Sequence, residues 1–133
     1  MANPNIVSVT SIYGGNYGWN LSNTLTATLL TVDAEKLLKI NRIVVANVDG
    51  SAAADVNLFI DGIGTGAANG LTPTGADATV YLAKTISVPA DSSLVLSDTP
   101  IYMMEGDILK GGASATGDLD LFISYEVLDI YRS

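Results

Sequence analysis

Residues 81–127 alternate short apolar segments with tight turns, and this tract constrains the fold more than any other part of the chain. The segments are rich in Val, Ile, Leu and Tyr, and Gly, Pro, Asp and Ser separate them. Short strands at regular spacing with turn residues between them are typical of antiparallel sandwiches and barrels. The tract therefore predicts strands at residues 81–88, 93–97, 101–104, 108–110 and 118–127.

The last of these segments has the clearest two-residue period. Residues 119–127 carry Leu, Leu, Ile, Tyr and Val at the odd positions and Asp, Phe, Ser and Glu at the even positions. Such alternation predicts a strand with one face on a core and one face toward water. Similar patterns upstream predict strands at residues 6–13, 21–32, 37–48 and 56–61. Residues 37–48 are apolar on both faces near residues 43–45, so we expect that strand to be central in its sheet.

These segments together predict an all-β fold. About eight strands suit a single antiparallel β-sandwich of the jelly-roll-like type. The chain has 133 residues, which is the size of one domain, and 48% of them are hydrophobic. We therefore expect one sandwich domain over residues 1–133, with an N-terminal arm at residues 1–5 and a C-terminal tail at residues 128–133.

Residues 33–39 could form one helical turn, because an N-cap residue precedes good helix formers. A second segment argues for a turn instead. Residues 32–38 and 88–94 share the pattern Val-x-Ala-acid-x-x-Leu, and Pro89 excludes a continuing helix in the second copy. We therefore predict two similar corners between strands.

The amino-acid composition excludes most of the side chains that usually act as nucleophile or base in catalysis. The chain contains no His and no Cys, so the usual pairs of nucleophile and base are absent. Two pairs of carboxylates with two-residue spacing, Glu105/Asp107 and Asp118/Asp120, could hold a hard cation or cleave a glycosidic bond. Turn and strand-end chemistry explains them better. We expect no catalytic residue, no metal, no cofactor and no enzymatic activity.

The charge balance narrows the possible partners. There are 14 acidic and 6 basic residues, which gives a net charge of −8. A surface of this sign repels nucleic-acid phosphates and anionic membranes. No apolar stretch approaches the length that spans a bilayer. We therefore expect partners that are neither nucleic acid nor membrane.

Two glycine-rich segments, residues 13–20 and 62–76, are predicted to be loops. The first contains Tyr13, Tyr17 and Trp19, which could close the end of the sandwich, form a protein interface or stack on sugar rings. The second lacks the lysine and following helix of a phosphate-binding loop. The residues predicted to form an interface are Tyr13, Tyr17, Trp19, Asn20, Asn69 and Leu71.

Four segments carry a family resemblance: residues 39–50, 86–94, 105–108 and 122–126. With the opening residues 1–9, they resemble small virion structural proteins of tailed bacteriophages, especially those of marine and cyanobacterial phages. The resemblance implies a β-sandwich in the assembled particle without enzymatic activity, and it supplies no site residues.

A small sandwich without a catalytic set acts through its surface, and a particle lattice multiplies weak contacts. We therefore expect a capsid decoration or cement protein in the virion, assembled in the host cytoplasm. Its partners would be the major capsid protein or other virion proteins, and it would form a homo-oligomer, with a trimer favoured. One alternative is a protein of the neck, tail or fibre. Another is a glycan-binding module that reads a host surface.

Overall fold

The structure is a computed structural model that describes residues 9–63, 74–75 and 77–130. Within those residues there are nine β-strands and no helix. The strands are β1 (Val9–Asn20), β2 (Thr28–Thr31), β3 (Lys36–Asn47), β4 (Ala54–Asp61), β5 (Val80–Val88), β6 (Ser93–Ser97), β7 (Ile101–Met103), β8 (Ile108–Ala113) and β9 (Leu119–Ile130).

The strands form two antiparallel sheets. Sheet A has the order β1-β9-β3-β6, with β7 also paired to β3, and sheet B has the order β2-β8-β4-β5. β6 pairs with the second half of β3 and β7 with the first half, so these two short strands occupy one position along its edge. Eight strand positions result, in the two-sheet arrangement of a jelly roll. The all-β sandwich predicted from the sequence is confirmed.

The core lies between the two sheets and follows the two-residue period. β9 and β3 pair in a register that places Ile123 opposite Ile43 and Leu121 opposite Val45. Side chains directly opposite each other in a sheet share a face. From sheet B, the inward residues of β4 meet them. The fully buried core side chains include Ile40, Ile43, Val45, Val56, Leu58, Leu109, Leu119, Leu121 and Ile123.

Four corners share one turn geometry, in which the N–H of the fourth residue donates to the carbonyl of the first. Their third residue has positive φ, and these residues are Glu35, Asp91, Gly106 and Gly117. Glu35 and Asp91 are the acids of the pattern shared by residues 32–38 and 88–94. The two similar corners predicted from that pattern are confirmed, and residues 33–39 contain a turn followed by β3.

The predicted strand at residues 21–32 is wrong for most of its length, because only Thr28–Thr31 forms a strand. Leu21 is 2% exposed and inserts into the core as the chain passes from sheet A toward sheet B. Its N–H donates to the carbonyl of Leu119 at the start of β9, and its carbonyl accepts from the N–H of Gly117 in the turn before β9. Leu25, within the same predicted strand, is among the exposed hydrophobic residues.

The predicted strand at 108–110 was too short, because β8 continues through Gly111 and Gly112. A Cβ on Gly111 would lie 2.2 Å from the carbonyl oxygen of Asn57, and one on Gly112 would lie 2.4 Å from that of Thr24. These glycines therefore allow close packing of neighbouring backbone and do not mark a turn.

The ends of the chain also differ from the prediction. β9 continues to Ile130, so Leu128 belongs to a strand and not to a tail. Residues 131–133, the predicted arm at residues 1–5 and most of the predicted loop at 62–76 lie outside the described residues.

Candidate functional site: an uncharged edge strand and an apolar stripe

β1 is the edge strand of sheet A, and its 12 residues contain no charged side chain. The sequence analysis was wrong to predict a loop at residues 13–20, since these residues pair with β9 in continuous register down to Asn20. Glycine and asparagine are uncommon in strands, and that rule misled the prediction. The missed signal is the two-residue spacing of Tyr13, Gly15, Tyr17 and Trp19.

Polar side chains hold both ends of β1 against sheet A. At one end the Ser11 hydroxyl donates to Asp129, 2.7 Å away, and Lys36 of β3 forms an ion pair with the same carboxylate. At the other end the Asn20 amide donates to Asp120 Oδ1 at 2.8 Å and to the carbonyl of Gly117 at 3.0 Å. At one end these contacts connect β1 to β9 and β3. At the other end they connect β1 to β9 and to the turn before β9.

Lys36 and Asp129, which form the ion pair at one end of β1, stabilise each other's charged form. The hydrogen bond from Lys36 lowers the pKa of Asp129, and the hydrogen bond from Ser11 lowers it further. The same bond with Asp129 raises the pKa of Lys36. Both groups stay charged near neutral pH, so these two opposite charges at the end of β1 neutralise each other.

The aromatic residues of β1 have different environments, although all face the inner side of sheet A. Trp19 packs against the core, which is the plug role considered from the sequence. The Tyr17 ring stacks on Tyr125 with 4.8 Å between ring centroids. A hydrogen bond with Tyr17 and then burial raise the pKa of Tyr125. Tyr13 is 59% exposed and leaves most of its ring open to solvent.

A groove of about 230 Å³ opens beneath Tyr17. Its lining comes from β1, β3 and β9 of sheet A, and from β2 of sheet B with the residues that follow it. The groove is lined by Tyr17, Leu30, Thr31, Val32, Asp33, Lys36, Leu38 and Val127.

The outer face of sheet A carries an apolar row, here called the outer stripe, that crosses four strands. The register aligns Gly18 of β1 with Phe122 of β9, Phe122 with Val44 of β3, and Val44 with Val95 of β6. Phe122 is 43% exposed and Val95 is 44% exposed. Because adjacent strands lie about 4.8 Å apart, the row extends about 15 Å.

A notch of about 350 Å³ lies where the outer stripe reaches β1. Gly18 has no side chain to fill this space, and a Cβ there would approach only the carbonyl of Leu121, at 3.7 Å. The notch is lined by Gly18, Trp19, Asn20, Asp120, Leu121 and Phe122.

The acidic pairs are held by structural contacts. Glu105 Oε2 accepts a hydrogen bond from the Glu35 backbone N–H at 2.9 Å, and Asp107 Oδ2 accepts one from Met104 at 3.0 Å. Burial raises the pKa of Asp107, and Asp107 Oδ1 has no hydrogen-bond partner within the described residues. Asp120 accepts from Asn20.

A metal site and a membrane-spanning helix can both be checked over the described residues. In residues 9–63, 74–75 and 77–130, no group of three or more carboxylates is placed to hold a metal ion. No helix there is long and apolar enough to cross a membrane.

The structure places four of the six predicted interface residues, Tyr13, Tyr17, Trp19 and Asn20, on one strand. Asn69 and Leu71 lie outside the described residues. The sequence analysis missed the outer stripe. A Phe in the polar row of β9 was visible as its signal, but only the register shows that Val44 and Val95 continue the row.

Comparisons with known proteins give weak similarity only. No protein-family model matches the chain, and no curated protein matches it. A crystal structure of a pentameric capsid protein from metagenomic phage sequences has a TM-score of 0.31 and 12% identity, over 97% of this chain and 69% of that chain. A second structure of such a protein, solved by iodide SAD phasing, has a TM-score of 0.26 and 13% identity, over 96% and 69%.

A third similar structure is the VP2 subviral particle of infectious bursal disease virus. Its TM-score is 0.25 with 12% identity, over 92% of this chain and 42% of that chain. The similar structures are thus phage capsid proteins and a viral particle. TM-scores in this range establish neither a common fold nor a common function.

Proposed function

We propose that this chain is a structural component of a tailed-phage particle, where it acts as a capsid decoration protein. Its partner is the major capsid protein, its place is the virion, with assembly in the host cytoplasm, and its own assembly state is a homotrimer. The observation that carries the proposal is the outer stripe, an apolar row on the outer face of sheet A in which Phe122 and Val95 are exposed.

The side chains on the outer face of sheet A support this role. In an antiparallel sandwich the outer positions of a strand are normally polar, because they face water. Phe122, Val44 and Val95 instead form a continuous row. Contiguous exposed apolar surface marks protein contacts, and aromatic residues are enriched there. Jelly rolls are also among the folds of viral capsid proteins. The sequence resemblance to small virion proteins agrees with this role.

The test measures binding of the purified protein to expanded phage shells that lack it. Co-sedimentation should recover the protein with the shells, and the shells should resist higher temperature. Val95→Glu places a charge in the outer stripe far from β1, and we expect it to weaken binding about tenfold or more. Val48→Glu is the matched control, because Val48 is 55% exposed in the turn after β3 and outside the stripe.

Absence of binding to shells by the unaltered protein, or equal binding by the two variants, contradicts the proposal. An electron-microscopy map of the particle separates the head from other sites. Density for the chain at the neck, tail or fibre would replace decoration with the alternative position.

A further inference from the structure

The edge strands of this sandwich differ in how they are protected from pairing with another chain. Exposed edges are normally blunted by charges, bulges or short length. β5 carries Lys84, and the positive φ of Thr85 accompanies a shift in its register with β4. β2, β6 and β7 span only 3 to 5 residues.

β1 has few of these protections. It is 12 residues long, carries no charge and contains no proline. Its one register irregularity is near its start, between Val9 and Ser11. Within the described residues no strand pairs with its outer side. Ile12, Tyr13 and Tyr17 project from it with 58%, 59% and 45% of their surface exposed.

We propose that β1 pairs antiparallel with β1 of a second copy of this chain, about a two-fold axis at Gly15. The two sheets A then form one continuous sheet across the dimer. The axis stands perpendicular to the sheet, so inner faces continue into inner faces.

The sequence of β1 is complementary to itself in this register. Paired residue numbers sum to 30, so Tyr13 lies opposite Tyr17 of the second copy on the inner face. On the outer face Ile12 lies opposite Gly18 of the second copy. Gly18 borders the notch of about 350 Å³, so the exposed Ile12 of each copy lies next to a space in the other copy that no side chain fills. Two aromatic pairs and two apolar contacts result, which isologous symmetry repeats on both sides of the axis.

Charge also favours a second copy at this edge. Two copies of a chain with a net charge of −8 repel each other over most of their surfaces. β1 is uncharged, and the nearby Lys36 and Asp129 are already paired. The hydrogen bonds of Ser11 and Asn20 hold the strand in place before a partner binds, so less conformational freedom is lost on pairing.

This contact goes beyond the proposed function and does not depend on it. When the three β1 edges of one trimer pair with the three of a second trimer, the assembly is a hexamer. This contact uses β1, whereas shell binding uses the outer stripe. The measurement of dimer formation needs only the purified chain, so its result is independent of any shell.

The first experiment measures the mass of the assembly by sedimentation velocity over a wide range of protein concentration. We expect an even number of chains, and Tyr13→Lys should halve the mass by placing a charge at the pairing edge. Tyr102→Lys is the matched control, because Tyr102 is 50% exposed on β7, away from β1, and it should leave the mass unchanged.

An odd number of chains, a monomer at every concentration, or equal effects of the two lysine variants would overturn the pairing. Loss of shell binding in Tyr13→Lys without any change of mass would also overturn it, because the edge would then receive a strand from another protein.

The second experiment tests the register. The chain has no cysteine, so Gly14→Cys and Asn16→Cys each introduce the sole thiol. Residues 14 and 16 lie directly opposite across the proposed axis, within disulfide distance, whereas 14 and 14 lie diagonally, about 7–8 Å apart. A mixture of the two variants should oxidise to a mixed dimer in at least about tenfold greater yield than either variant alone. Equal yields would overturn the axis at Gly15.

Discussion

Strands β1 and β8 both contain glycines, but Gly14 and Gly18 of β1 have room for a side chain, whereas Gly111 and Gly112 of β8 do not. In β8, side chains at Gly111 and Gly112 would collide with neighbouring backbone at 2.2 and 2.4 Å. In β1, a side chain at Gly14 would meet nothing within 4 Å, and Gly18 borders an open notch. The glycines of β8 permit packing of the sandwich, whereas Gly14 is not required by packing and Gly18 leaves a notch open.

The two strands therefore separate scaffold from interaction surface. β8 lies between β2 and β4, so its backbone is paired on both sides, and its leading turn buries two carboxylates. β1 is paired on one side only among the described strands. Substitutions in β8 should change the stability of one chain, and substitutions in β1 should change how copies associate.

The largest effect is expected for Gly111→Ala. Its Cβ would overlap the Asn57 carbonyl, so β8 and β4 must separate and lose ladder hydrogen bonds. We expect the free energy of unfolding to fall by about 3 kcal/mol or more. Urea denaturation followed by Trp19 fluorescence measures the change. A loss of less than about 1 kcal/mol would show that the strands move apart at little cost and would remove the contrast with β1.

A smaller effect is expected for Asp107→Asn, in the turn that leads into β8. Burial raises the pKa of Asp107 in the folded chain, so its ionised form costs folding free energy. That cost is absent below the unfolded pKa and is fully present at pH values above the folded pKa. The variant should therefore gain about 1 kcal/mol at neutral pH, and the gain should disappear as the pH falls below about 4.

Thermal denaturation across this pH range measures the gain, which corresponds to about 3 °C in Tm. Asp98→Asn, at an exposed position between β6 and β7, is the control and should show no such difference. A gain for Asp107→Asn that persists at acid pH would contradict the assignment to a buried carboxylate.

The sequence predicted the sandwich because the core strands follow simple rules. Residues 119–127 alternate strictly, and residues 37–48 are apolar on both faces near residues 43–45, so both strands were placed within a few residues of their observed bounds. The shared pattern at Glu35 and Asp91 even predicted two matching corners. Each of these patterns lies within one short segment of the chain, so it can be recognised without knowing how the strands pair.

The interaction surface could be predicted only in part. Tyr13, Tyr17 and Trp19 were recognised as an unusual group, but the glycines between them favoured a loop. A glycine that prevents a collision and a glycine that leaves a space look the same in a sequence. The outer stripe depends on the register among β9, β3 and β6, which brings Phe122, Val44 and Val95 together from distant parts of the chain.

The smallest effect is expected for Gly14→Ala, and it bears directly on why β1 retains its glycines. Alanine loses less backbone freedom on folding than glycine in a strand, and the new Cβ of residue 14 meets no atom. We expect a gain of about 0.5 kcal/mol in the free energy of unfolding. Gly15→Ala should show no gain, because its Cβ would lie 2.7 Å from the Tyr125 hydroxyl. Both are measured by denaturation in the Tyr13→Lys background, where association does not add to the apparent stability. A gain at residue 14 and none at residue 15 means that folding of the single chain does not require Gly14, whereas Gly15 is needed for the packing of Tyr125. A loss at residue 14 would instead assign its glycine to the scaffold, with those of β8.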